Sequence, residues 1–84
     1  MNFDPLRARV RFLSLVSKTE RDSFFRNTTE ALKKHVSVVK KYLNQQQQEP
    51  NADQLQILVI KAGLRDMKSQ LRWLNETKEF LDSQ

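Results

Sequence analysis

The chain has very little to turn with. Its 84 residues include one glycine, Gly63, and two prolines, Pro5 and Pro50. An all-β domain of many short strands needs turn residues about every 8–12 positions, and this supply excludes it. The fold class read from the sequence is therefore all-α. Three stretches, bounded near residues 5, 17–23 and 50, are the candidate helices, and the one glycine, Gly63, falls inside the third.

The clearest periodicity lies in the last third. Ile57, Leu64, Leu71 and Lys78 repeat every seven residues, and Ile60, Met67, Leu74 and Leu81 repeat every seven at an offset of three. This is an a/d coiled-coil seam, interrupted only by Lys78, whose alkyl stem can still cover it. A helix is expected over 52–82, opening at Asn51 with Gln54 in capping-box register. Gly63 within it costs about 1 kcal/mol relative to Ala; it marks either a close helix contact or a tolerated residue.

A second stripe, Phe25, Leu32, Val36, Val39 and Leu43, with Phe24 beside it, predicts a helix over 20–48. Ser17 with Glu20 fits a capping box, and Thr19 with Asp22 a looser one. Gln45 to Gln48 read as polar filler at the helix end. Glu49, next to Pro50, is pushed out of the helical region and stops the helix.

The first segment opens with Asp4 as N-cap and Pro5 at the first helical position. Leu6, Val10, Leu13 and Val16 follow at helical spacing, predicting a helix over 5–16. Ala8, Val10 and Phe12 also alternate with Arg7, Arg9 and Arg11 as in a half-buried strand, but no second strand candidate exists to pair with it.

The short connection around Pro50 makes the two long helices antiparallel neighbours. The expected architecture is a single domain over 1–84: an antiparallel long-helix hairpin with the shorter N-terminal helix folded back on it, a three-helix bundle. The first helix spans about 18 Å and reaches only residues 20–34 and 66–80. Trp73 and Phe80 are expected to meet Phe12 and Val16 there. Residues 55–64 are apolar nearly all round, which calls for burial all round. Leu55, Leu58, Val59 and Ala62, beside Val38 and Tyr42, are left as an exposed apolar strip, the candidate site for a protein partner or a second copy of the chain.

The net charge is +5. Residues 1–22 carry five Lys/Arg against three acids, residues 23–50 five against two, and residues 51–84 five against five. The surplus permits an anionic partner, nucleic acid included. Its candidate contacts are Arg7, Arg11 and Lys18 in the first segment, and Arg26, Lys33 and Lys40 at seven-residue spacing in the second.

Chemistry has little to work with. There is no Cys and one His, so disulfides and thiolate metal sites are excluded. Gly63 alone cannot build a phosphate-binding loop. His35 flanks the second stripe and is followed by Val36, Ser37 and Val38, not by the small residues that open access to a phosphotransfer histidine. The acids Asp53, Asp66, Glu76, Glu79 and Asp82 form no paired-carboxylate site. The expectation is a non-enzymatic interaction module (an adaptor, chaperone-like or regulatory subunit) with no cofactor, no metal and no small-molecule substrate. The alternative is a basic nucleic-acid-binding regulator. No stretch approaches the ~18 apolar residues of a transmembrane helix, and no apolar run after Met1 resembles a signal peptide. A cytoplasmic or other intracellular location is expected.

Overall fold

The computed structural model describes residues 5–84; the Asp4 cap lies outside them. The described residues are helical, with no strand. Helix α1 covers Pro5–Arg11, a 3-10 turn follows at Leu13–Leu15, helix α2 covers Lys18–Gln48, and helix α3 covers Gln54–Asp82.

Local chemistry sets most of these boundaries. Ser17 is the N-cap of α2, and its hydroxyl accepts a hydrogen bond from the Glu20 N–H at 3.2 Å. Helix α2 runs through the four glutamines and stops at Glu49, whose ψ of 129° is the extended conformation that a following proline imposes. The N-cap of α3 is Asp53, not Asn51. Its carboxylate accepts from the N–H groups of Leu55 and Gln56 at 3.0 and 3.3 Å, and its charge suits the positive end of the helix dipole. Helix α3 accordingly starts two residues later than the sequence pattern suggests.

The first helix is shorter than its pattern. Regular helix ends at Arg11, and Val16 is extended at ψ 168°. Because α2 begins at Lys18, residues 12–17 must supply the whole chain reversal, so a helix to residue 16 would leave nothing to turn with. The 3-10 turn sends Leu13 inward and leaves Phe12, Leu15 and Val16 exposed. Phe80 is exposed as well, so Phe12 and Phe80 are not buried by the contact expected of them. Trp73 lies beneath the Arg7 guanidinium, 5.9 Å from ring centroid to Cζ.

Among the described residues eight side chains are buried: Val10, Leu13, Phe25, Val36, Ile57, Ile60, Leu64 and Leu74, all apolar. Val10, Leu13, Phe25 and Leu74 form one cluster, joining α1, the 3-10 turn, α2 and α3, with Leu6, Phe24, Leu32, Trp73 and Leu81 packed around it. Helices α2 and α3 pack against each other. Arg21 in the first turn of α2 lies 3.6 Å from Asp82 at the end of α3. Leu43, near the end of α2, lines a groove with Lys61 and Leu64, near the start of α3. Leu71, at the middle of the seam, is only half-buried, whereas Leu74 is 1% exposed.

The molecule is thin, with extents of 52 × 28 × 16 Å. A compact protein of 10.0 kDa exposes about 5,200 Å²; this one exposes 6787 Å². The surplus is surface that no third layer covers.

A Cβ built on Gly63 meets no atom within 4 Å. The residue marks no close helix contact, only a weak point in α3. Gly63→Ala should raise stability by about 0.5–1 kcal/mol, read from chemical denaturation; a loss of stability would show that some neighbour needs the missing side chain.

Candidate association surface

The apolar strip is defined by what α1 covers and where it stops. Leu6 and Arg7 line a groove with Asp66, Ser69, Gln70 and Trp73 of α3. On α2, Arg9 lies over the Phe24 ring at 5.3 Å. Helix α1 thus sits over residues 66–73 of α3 and over Phe24 of α2.

Both faces continue past the end of α1. On α3, Leu55, Val59, Ala62, Asp66, Ser69 and Trp73 follow one another at spacings of three and four, so they share one side of the helix. Leu58 adjoins it, three residues after Leu55 and four before Ala62. On α2, Val38 and Tyr42 share the side of Phe24 through the steps 24, 28, 31, 35, 38 and 42. All six strip residues are exposed: Leu55 is 71% exposed, Leu58 62%, Val38 and Val59 59% each, Tyr42 44%, and Ala62 is exposed as well. The nearby His35 is also exposed.

The candidate anion contacts divide differently. Arg7 is engaged with Trp73. Arg11 and Lys18 are exposed beside the 3-10 turn, and Arg26, Lys33 and Lys40 are exposed along α2. Near the chain end, Lys78 donates to Asp82 at 2.7 Å. That hydrogen bond holds the Asp82 carboxyl below, and the Lys78 ammonium above, their ordinary ranges. Among the described residues no group of His, Cys, Asp or Glu is placed to hold a metal ion, and no helix is long and apolar enough to cross a membrane.

Two features escaped the sequence reading. One is the apolar patch of Phe12 and Leu15, turned outward by the 3-10 geometry. The other is the row Lys61, Arg65, Lys68 and Arg72 on α3, spaced four, three and four. It was hidden because the acids of residues 51–84 cancel it in the charge count; the spacing itself was the available signal.

This long pair of helices, with a short helix packed against both, is matched over residues 4–82 by the family described as Virulence activator alpha C-term. The chain belongs to that family. The match includes α1, the strip and all of α3, so the surface described above lies wholly inside the Virulence activator alpha C-term region. No curated protein and no solved structure matches the chain. Membership makes it a small helical domain of a regulatory-activator family.

Proposed function

We propose that the chain is a non-catalytic association module of an intracellular regulatory activator, joining two copies of itself through the apolar strip. In this reading α2 and α3 are an antiparallel hairpin, α1 folds back to make a three-helix bundle, and the second copy covers what α1 does not. The Arg21–Asp82 contact at one end and the Leu43–Leu64 groove toward the other support the antiparallel arrangement.

One observation carries the proposal: Leu55, Leu58, Val59 and Ala62, with Val38 and Tyr42, extend the α1-covered faces as exposed apolar surface. A contiguous strip of this kind marks an interaction site. An isologous dimer closes it with a single patch, because the same surface serves both subunits. The surplus of about 1,500 Å² over a compact monomer exceeds the roughly 800 Å² that each partner of a standard interface buries. The family's name, virulence activator, supports the regulatory setting.

Sedimentation equilibrium over a range of protein concentrations tests the reading. Reversible dimer formation is expected. A folded monomer at every concentration would overturn self-association and leave a different protein as the occupant of the strip.

A further inference from the structure

The face of the α2–α3 pair away from α1 has its own character. Two openings lie along it. One, of about 460 Å³, is lined by Asp22, Phe25, Arg26, Thr29, Glu30 and Lys33 of α2 and by Leu71, Leu74, Asn75 and Lys78 of α3. The other, of about 330 Å³, is lined by Leu43, Lys61, Leu64, Arg65 and Lys68. The α3 residues Lys61, Leu64, Lys68, Leu71, Asn75 and Lys78 advance by threes and fours, so the two openings are parts of one groove. Lys40 joins it from α2, seven residues after Lys33, and Arg72 from α3, four after Lys68.

The groove has an apolar floor and basic walls. Leu43, Leu64 and Leu71 continue the apolar surface that Phe25 and Leu74 begin. Along 33–43 and 61–72 the walls carry Lys33, Lys40, Lys61, Arg65, Lys68 and Arg72, all exposed. The acid in that stretch, Asp66, lies on the α1 side with Leu6 and Arg7. The ion pairs among the described residues are at the far end, at Asp82.

We propose that this groove docks an acidic amphipathic helix from a partner protein. Two side-by-side helices leave a furrow into which the apolar side of a third helix fits. From residue 22 to residue 43 it runs about 31 Å, the length of a helix of about 20 residues. Glutamates flanking the partner's apolar stripe would meet the lysines and arginines of both walls along 33–43 and 61–72, and the end of the partner helix that faces Asp22 and Glu30 would carry no acid. A second copy of this chain does not suit the groove, since an isologous contact would set the same cations against themselves. Nucleic acid satisfies the walls but leaves the half-buried Leu43 and Leu71 uncovered, because phosphates offer them nothing. The groove and the strip face opposite ways on α2 and approach each other on α3 only at Leu58, three residues before Lys61; the proposal does not depend on self-association.

The test uses the full chain and a synthetic helical peptide of about 20 residues, with Leu at a and d positions and Glu beside them, followed by fluorescence anisotropy. A peptide of the same composition with its periodicity scrambled, and single- and double-stranded oligonucleotides, are the competitors. The patterned peptide should bind at least about tenfold tighter than the scrambled one, and Lys61→Glu combined with Lys68→Glu should weaken it about tenfold or more. Both lysines are exposed, so the variant should keep its helicity. Val59→Ser, on the opposite side of α3 from Lys61 and Lys68 and without a change of charge, should leave peptide binding unchanged. Equal binding of the scrambled peptide would overturn the proposal in favour of bare charge attraction. Tighter binding of an oligonucleotide, lost in the same double variant, would make the groove a nucleic-acid surface. No binding of any probe would make it a solvated face.

Discussion

Phe25→Ala should lower the unfolding free energy by about 3–5 kcal/mol. Phe25 is 2% exposed and belongs to the cluster that holds all parts of the fold at once. Val10 comes from α1, Leu13 from the 3-10 turn and Leu74 from α3. The ring also meets Phe24 edge to face, with centroids 5.7 Å apart and planes at 75°, a geometry worth about 0.5–1.5 kcal/mol beyond burial. Removing it opens a cavity that neighbours on four elements would have to collapse into together. A domain of 84 residues has a total stability of only about 4–13 kcal/mol, so the variant should lose a large share of it. Urea denaturation followed by circular dichroism measures the effect. A loss under about 1 kcal/mol would mean that α1 and the turn do not pack on Phe25.

The four buried residues of α3, Ile57, Ile60, Leu64 and Leu74, all sit in the two interleaved heptad rows. Phe25 and Val36, buried on α2, sit in the second stripe. Helix identity and core faces were legible because a helix with one buried side must repeat its apolar residues at that spacing. Ser17 and Glu49 were legible because capping and pre-proline geometry are local chemistry. The 3-10 turn was not. Leu13 and Val16 continue the helical spacing of Leu6 and Val10, and only the need to reverse before Lys18 turns Val16 and Phe12 outward. That requirement comes from the position of α2, which no local pattern states. The strip was legible through a length argument, since α1 is too short to reach residue 62. The basic groove is an arrangement of two helices, and a charge count along one chain averages it away.

Leu58→Glu should convert a dimer of this chain into a folded monomer. In the separate chain Leu58 is 62% exposed, so a glutamate there stays in water and stability should change by no more than about 0.5 kcal/mol. In the proposed dimer the same position is covered by the partner. A carboxylate buried there without a cation costs several kcal/mol, and an isologous interface meets that cost twice. At about 1.4 kcal/mol per factor of ten, the dissociation constant should rise by more than about a hundredfold. Long-range charge works in the opposite direction. The substitution brings the net charge of +5 one unit nearer zero, which weakens repulsion between copies, so a loss of association must come from the contact itself. Sedimentation of the wild type and the variant, with circular dichroism on both, decides the matter. A variant that still dimerises removes Leu58 from the interface. One that loses its helicity shows that the strip belongs to the monomer's own core, with α1 extending further over α3 than residues 66–73.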